Sequence, residues 1–356
     1  MTASRPEGAP LLVSTPADDP PHHDGDRFRN HYVGFEPKSL AEVLRWRIDA
    51  ARHGLPPPPR APTPRVAPDL AFLRANATAG KAMTPALTWI GHASVLAQIG
   101  GLNLLIDPVF SERASPLTFA GPRRQAAPGL ALADLPPIDA VLISHNHYDH
   151  LDLETVRSLA EGAGTRPPFV VPLGLAAWFA SNGVAGAVEL DWWQSSRVGD
   201  TEIVLAPAQH WSGRGLADRM KTLWGGFAVF APGFQLFHCG DTAYSRDFAD
   251  IHTRFAARHG GDERGFDLAL IPIGAYEPRW FMRGQHVNPA EAVRIHLDLV
   301  AERSIGIHWG TFQLSDEALD EPPRALSEAR RDQCVADEAF DVMAIGETRH
   351  YPTRTT

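Results

Sequence analysis

Hydrophobic and polar positions keep two different rhythms along this chain, and the change falls near Thr84. Upstream, Leu40, Val43, Leu44, Ile48 and Ala51 recur at helical spacing and predict an amphipathic helix over Ser39–His53. Ser39 and Glu42 stand at capping-box separation, Gly54 offers a left-handed stop, and Pro56–Pro59 block continuation. Trp46 lies beside the apolar stripe, and Arg45, Arg47 and Arg52 supply cations. Such a helix docks on the body or on a second subunit, or lies on a membrane surface. Residues 1–30, rich in Pro, Asp and Ala as far as Asp26, are expected to form a flexible arm; His22 and His23 could touch a metal, but in so polar a segment the solvated reading is preferred. Residues 31–83 are then the helix and a Pro-rich extension packed on the body, and residues 84–356 the main domain.

Downstream of Thr84 the pattern becomes short apolar runs separated by Gly and Pro. Leu87–Ile90, Val95–Ile99 and Asn103–Ile106 are consecutive strands, with Gly100-Gly101 as a hairpin signal. Further strands are expected at Ala140–Ser144, Phe169–Val171, Thr201–Ala206, Phe227–Ala231, Gln235–Cys239, Leu268–Ile273 and Ser304–His308. Helices are expected at Leu153–Ala160, Asp247–Arg258, Pro289–Ala301 and Pro323–Gln333. Strands interspersed with helices imply a layered α/β fold.

Composition narrows the partners. With 356 residues, 44% of them hydrophobic, the chain can bury a large core. A net charge of −9 without a polybasic block argues against nucleic acid, although bound cations would still admit an anionic substrate. Cys239 and Cys334 make no disulfide framework or metal-finger spacing. The N-terminus lacks the basic-then-apolar order of a signal peptide, and no apolar run is long enough to span a bilayer. A cytoplasmic protein is expected, with peripheral membrane contact left open.

The chemistry is concentrated after one strand. Ala140–Ser144 runs into His145-Asn146-His147-Tyr148-Asp149-His150, four potential ligands at the end of a buried strand, where α/β sheets place their sites. Imidazole with carboxylate suits zinc and neighbouring transition metals, whereas calcium or magnesium would draw an oxygen-only set. His210, Asp241 and His308 each follow another expected strand. Each is weak evidence singly; together, in one strand-to-loop context, they point to one site.

The HxHxDH run with a later His, Asp and His resembles the metallo-β-lactamase superfamily. That resemblance implies a four-layer αβ/βα sandwich and a metallo-hydrolase domain with two Zn2+ or other divalent transition metals. By the same resemblance, His145, His147 and His210 hold one ion, Asp149, His150 and His308 hold the second, and Asp241 bridges them. A narrower similarity, over roughly residues 30–352, is to the N-acylphosphatidylethanolamine-hydrolysing phospholipase D family. It rests on Leu105–Phe110 with Arg113–Pro116, Glu189–Trp193, Gly240–Thr242, Pro272–Met282, Gln285–Pro289 and His308–Phe312. Asn146 stands where the animal enzymes tend to have Asp, and Ala243 where they tend to have Gly; neither removes a ligand.

Two divalent ions about 3.5–4 Å apart hold a water whose pKa falls from about 15.7 toward 7. The resemblance therefore implies a metal-bridging hydroxide that attacks phosphorus and releases N-acylethanolamine and phosphatidate. Asp107 is a candidate acceptor for the outer N–H of a ligating His, or a turn residue before Pro108. His286 is a candidate general acid and Gln285 a contact for the head group or leaving oxygen. Tyr148 either bonds a substrate oxygen or packs. Trp280, Phe281 and Met282, with Trp192, Trp193 and Trp211, are candidate walls for acyl chains. His92 reads as an internally bonded turn residue near the site. The phospholipid substrate has two competitors: a lactone or other ester on the same metal platform, and a binding protein that kept the fold without catalysis. A homodimer is expected from the resemblance and the amphipathic helix.

Overall fold

A computed structural model describes residues 22–354 apart from 37, 163–165 and 216. Its strands are β1 (His23–Asp24), β2 (Arg27–Phe28), β3 (Ala86–Gly91), β4 (Ser94–Ile99), β5 (Leu102–Ile106), β6 (Ala140–Leu142), β7 (Phe169–Pro172) and β8 (Val188–Leu190). They continue as β9 (Ser195–Val198), β10 (Thr201–Ala206), β11 (Gly226–Ala231), β12 (Phe234–His238), β13 (Leu268–Pro272), β14 (Ser304–Ile307), β15 (Phe340–Val342) and β16 (Thr348–His350). The α-helices are α1 (Leu40–His53), α2 (Leu70–Ala77), α3 (Leu153–Glu161), α4 (Leu175–Ser181), α5 (Asp247–His259), α6 (Arg279–Met282), α7 (Pro289–Asp298) and α8 (Glu321–Asp332).

Two seven-stranded sheets carry the fold, ordered β16-β3-β4-β5-β6-β7-β8 and β15-β14-β13-β12-β11-β10-β9. Each has an antiparallel half, β16 to β5 and β9 to β12, continued by a parallel half, β5 to β8 and β12 to β15. In the parallel halves crossovers cover the outer faces, so the strands are apolar on both sides. Side-chain alternation divides the first sheet cleanly. Val95, Ala97, Leu104, Ile106 and Leu142 join the core between the sheets, while Leu96, Leu105, Val141 and Ile143 face a second core with Leu73, Val156 and Phe179 of α2, α3 and α4. Helices α5, α7 and α8 cover the other sheet through Ile251, Phe255, Val293, Ile295 and Leu326. The result is the expected four-layer αβ/βα sandwich.

Helix α1 starts and stops where its sequence signals stand. Ser39 Oγ accepts from the Glu42 N–H at 3.3 Å, Glu42 Oε2 accepts from the Ser39 N–H at 2.8 Å, and Gly54 is left-handed at φ 63°. Its buried face is not the expected one. Trp46 and Ala50 are buried, whereas Leu40, Leu44 and Ile48 are exposed. The indole decides the rotation: it packs on Phe281 and Met282 and donates through Nε1 to Asp316 at 2.8 Å. Burying a Trp with its N–H satisfied outweighs burying smaller aliphatic side chains.

The expected flexible arm also needs correction. Residues 1–21 lie outside the described residues, but residues 22–30 are tied to the body. β1 pairs with β2, His22 stacks on Trp192 at 4.4 Å between ring centres, and Asp191 accepts from both His22 and His23. The solvated reading of His22 fails because polarity of the neighbouring sequence does not register a partner 169 positions away.

One buried histidine outside the site gives a stability prediction. His296 on α7 faces Ser304 Oγ at 2.8 Å, and burial pushes its pKa down to about 4. Between about pH 4 and 6.5 the unfolded chain binds this proton and the folded chain does not, so folding stability falls as pH drops through that window. The contribution is on the order of 2–3 kcal/mol. Urea unfolding of His296→Gln should show a shallower loss of stability across that window than the parent chain.

Candidate metal centre

The carboxyl ends of the parallel strands supply most of the site. Asp107 follows β5, His145 to His150 follow β6, Asp241 follows β12 and His308 follows β14; His210 follows β10. Several of these turns need left-handed backbone. Asp107 has φ 42°, His308 φ 63° and, between β3 and β4, His92 has φ 55°. Left-handed non-glycine residues are uncommon, and their grouping here marks turns held by their surroundings. Gly240, at φ 62°, leaves no room for a side chain: a Cβ would lie 2.7 Å from the Gly225 carbonyl and 3.0 Å from Ser144 Cβ.

Two sets of donor atoms result. In the first, His147 Nδ1 lies 2.8 Å from His145 Nε2 and 3.2 Å from His210 Nε2. Asp241 Oδ2 lies 3.8 Å from each of those two Nε2 atoms. In the second, Asp149 Oδ2 is 3.7 Å from His150 Nε2, 3.3 Å from His308 Nε2 and 3.0 Å from His92 Nε2. Asp241 reaches this set as well, with Oδ2 3.2 Å from His150 Nε2 and Oδ1 3.2 Å from His308 Nε2. One carboxylate therefore spans both sets.

Hydrogen bonds on the far sides of the rings fix which nitrogens face inward as acceptors. His150 Nδ1 donates to Asp107 Oδ2 at 2.8 Å, and His210 Nδ1 donates to the Gln285 carbonyl at 2.8 Å. Ser144 Oγ donates to Asp107 Oδ2 at 2.7 Å and accepts from His145 Nδ1 at 3.0 Å. A neutral imidazole protonated on one nitrogen carries a lone pair on the other. The Nε2 atoms of His145 and His210 thus present lone pairs to a buried space, and His150 Nε2 points into the same space. His147 Nε2, His308 Nδ1 and Asp241 Oδ1 have no hydrogen-bond partner among the described residues. Converging lone pairs and buried carboxylates repel unless a cation lies among them, so the donor set fits divalent transition metals.

Charge distribution agrees. Burial holds His145 well below the ordinary imidazole range and brings His147 down to about 3 and His210 to about 4, so these rings are neutral ligands at physiological pH. Burial also opposes charge on His150 and His308, but the Asp241 and Asp149 carboxylates outweigh it, raising His150 well above its usual value and His308 to about 9. Those two protons neutralise the carboxylates where a metal ion would, so metal loading there is a proton exchange.

A cavity of about 290 Å³ opens above this centre, lined by His147, Asp149, Asp241 and His286 and by Trp46, Phe281, Met282 and Leu314. Phe281 and Met282, candidates for an apolar wall, line it. Trp280 does not: it lies outside the lining, exposed, beneath the Arg45 guanidinium at 5.0 Å. Trp192 and Trp193 are buried away from the cavity, Trp192 stacked on His22 and Trp193 edge-on to Phe255 of α5, while Trp211 lines the cavity. The Tyr148 hydroxyl is engaged by the Arg214 carbonyl at 3.1 Å and its ring by the Arg214 guanidinium at 3.9 Å, which favours packing. Gln285 lines the cavity, with its carbonyl on His210 and its amide nitrogen 3.3 Å from Met282 Sδ. His286 sits over Asp241, Nδ1 to Oδ2 3.9 Å, but burial drives its pKa well below the usual value. That direction favours the neutral ring.

Two residues of the site, Asn30 and Trp46, were not legible as such in the sequence, and His92, expected as a turn residue near the site, meets it directly. His92 contacts Asp149 and lies tilted against His308, ring centres 4.0 Å apart, and the His308 backbone N–H donates to the His92 carbonyl. Asn30 brackets His210, donating to its carbonyl at 2.9 Å and accepting from its N–H at 3.0 Å. Trp46 closes one side of the cavity from α1. Trp46→Ala should cost about 3 kcal/mol at this packing site and leave α1 open to proteolysis, with KM rising more than kcat falls. Unchanged protease resistance and KM would show that the indole is not a wall.

The model of the β-lactamase superfamily domain matches residues 102–309. An uncharacterized protein of Mycobacterium tuberculosis is 41% identical over 316 residues, 85% of this chain and 79% of that protein. The N-acyl-phosphatidylethanolamine-hydrolyzing phospholipase D 1 of Caenorhabditis elegans is 40% identical over 273 residues, 73% of this chain and 74% of that protein. Among solved structures, an isothiocyanate hydrolase from Delia radicum gut bacteria superposes with a TM-score of 0.58 at 20% identity, covering 75% of this chain and 100% of that one, a likeness of fold alone. With the sandwich and the ligand geometry in place, these matches make the chain a member of the metallo-β-lactamase superfamily, in the branch that includes the N-acylphosphatidylethanolamine-hydrolysing phospholipases D.

Proposed function

We propose that this chain is a binuclear metal-dependent phosphodiesterase of the phospholipase D type, cleaving N-acylphosphatidylethanolamine-like lipids to N-acylethanolamine and phosphatidate. The observation that carries the reading is Asp241, one carboxylate shared by two sets of imidazole donors at the polar floor of a cavity with an apolar wall. A floor that gathers cations and a wall of Trp46, Phe281, Met282 and Leu314 suit an amphiphile with a phosphate near its apolar part. The relative from Caenorhabditis elegans, named for that hydrolysis, supports the same substrate class.

His145, His147 and His210 would hold one ion, Asp149, His150 and His308 the other, with Asp241 between; zinc suits this nitrogen-and-carboxylate set. When bound, two such ions supply Lewis acidity, screen phosphate charge and lower the pKa of water. The protein supplies orientation. Asp107 fixes His150, the Gln285 carbonyl fixes His210, and His92 steadies Asp149. The reaction consumes one water: its oxygen bonds phosphorus, the bond from phosphorus to the ethanolamine oxygen breaks, and that oxygen takes up a proton. His286, neutral and beside Asp241, is placed to hydrogen-bond an oxygen of the substrate rather than to carry charge. Among the described residues no helix is long and apolar enough to cross a membrane, so lipid would be reached by peripheral contact. A homodimer in the cytoplasm completes the proposal.

Metal-quantified assays against N-acylphosphatidylethanolamine, simple phosphodiesters and lactones test it. Turnover of the lipid with two ions per chain is the expected result; turnover of lactones alone would overturn the substrate assignment.

A further inference from the structure

We propose that His22, His23 and Asp191 form an additional divalent-cation site, sharing no residue with the centre above, that clasps the N-terminal segment onto the body. His22 Nε2 lies 2.5 Å from Asp191 Oδ1 and His23 Nε2 2.9 Å from Asp191 Oδ2. The three donor atoms all lie within 4.8 Å of one another. Two imidazoles and one carboxylate are a complete set for a transition ion that keeps water on its remaining positions.

The set is held in advance. His22 is buried and stacked on Trp192, and Asp191 Oδ1 accepts from the Trp192 N–H at 2.8 Å. The Asp191 N–H donates to Gln194 Oε1 at 3.0 Å, and pairing of β1 with β2 places His23. His23 forms the open side, with 52% of its side chain exposed, where an ion and its waters can enter.

A clasp of hydrogen bonds alone would be weak at that edge, because water competes for an exposed His–carboxylate pair. An ion about 2.0–2.2 Å from each donor sets neighbouring donors about 3.3 Å apart. Seating it therefore needs the two imidazoles to withdraw by less than about 1 Å. The same contraction occurs in the metal centre, where His145 Nε2 and His147 Nδ1 are 2.8 Å apart. The clasp has a consequence for chemistry, because the segment it fastens continues to Asn30, which brackets His210.

The test uses the full chain without a polyhistidine tag, with Zn2+ as the probe. Zinc per chain is counted at saturation in the parent chain, His23→Ala and Asp191→Asn, and tryptic cleavage after Arg27 and Arg29 is timed with and without zinc. The parent should bind one equivalent more than either variant. At zinc concentrations 100-fold above the site's Kd, cleavage in the parent should slow by about 100-fold, as the open population falls, and in His23→Ala it should not. Equal zinc counts in the parent and His23→Ala, with equal cleavage, would overturn the site and leave a hydrogen-bonded clasp only. His23 is exposed, so its variant decides even if Asp191→Asn misfolds. The readout is a difference of one equivalent; a failure of the two-ion centre would instead lower the count in every protein alike.

Discussion

Asp241→Asn is expected to lose at least one metal ion per chain and to lower kcat/KM on the order of 10⁴-fold. The substitution keeps the side chain's shape, so the effect isolates its charge and its acceptors. Asp241 is buried, its two oxygens reach His150 and His308 at 3.2 Å, and Oδ2 lies 3.8 Å from His145 and His210. An amide would turn N–H donors toward one of those sets and could no longer neutralise ions in either. Removing the negative charge also leaves the raised pKa values of His150 and His308 without their largest support, since burial alone lowers them. Elemental analysis beside turnover separates the two effects. A variant that retains two ions and full activity would refute Asp241 as the shared ligand, and with it the binuclear reading.

Asp107→Ala should be nearly as damaging, but by a different route. The Asp107 carboxylate is buried and accepts from the Ser144 N–H at 2.7 Å, from Ser144 Oγ at 2.7 Å and from His150 Nδ1 at 2.8 Å. Deleting it leaves those donors unpaired in the interior, a loss of about 3–5 kcal/mol, and frees His150 to change tautomer. Loss of such an outer partner lowers metal affinity by about 10–100-fold. Asp107→Asn discriminates between fold and chemistry: it can keep the bond to the Ser144 N–H while losing charge opposite His150. Thermal unfolding should then recover more than zinc affinity does. Equal recovery of both would mean that Asp107 is only a turn residue.

The sequence made the centre legible where ligands are close in the chain or stand at the end of a strong apolar strand. His145, His147, Asp149 and His150 are crowded into six positions, and His210, Asp241 and His308 follow strands whose apolar runs are clear. Asp107 was legible as one of two readings, and only the distance to His150 separates them. Partners brought in from far along the chain were not legible. Asn30 meets His210 across 180 positions, and Trp46 meets Asp316 across 270. Neither pairing has a local pattern.

The same limit shaped the fold. Capping signals located α1 to within a residue, because a cap is a local hydrogen-bond arrangement. Its buried face was misread because the aliphatic stripe is local, while the pocket that takes Trp46 is built by α6 and the loop carrying Asp316. The short strands β8, β9, β15 and β16 escaped notice for a related reason. Val188–Leu190 and Thr348–His350 are three residues each, too short for a period to show, and exist through pairing with β7 and β3. The change of rhythm at Thr84 marked a boundary in composition, yet the segment before it supplies both Asn30 and Trp46 to the centre.

The two sheets contribute to the centre unequally but jointly: the loop after β6 belongs to one, and Asp241 and His308 follow strands of the other. The spacing between ligands is therefore also a measure of how the two halves of the sandwich are seated. The core between them, with Leu104 and Leu142 on one side and Leu236 and Leu270 on the other, acts as the spacer that sets that gauge. A cavity or an extra methylene there, far from any substrate, would shift one half of the ligand set against the other. Metal affinity and turnover are then properties of the interior as much as of the loops. Selection for chemistry would be felt in side chains that never meet the substrate.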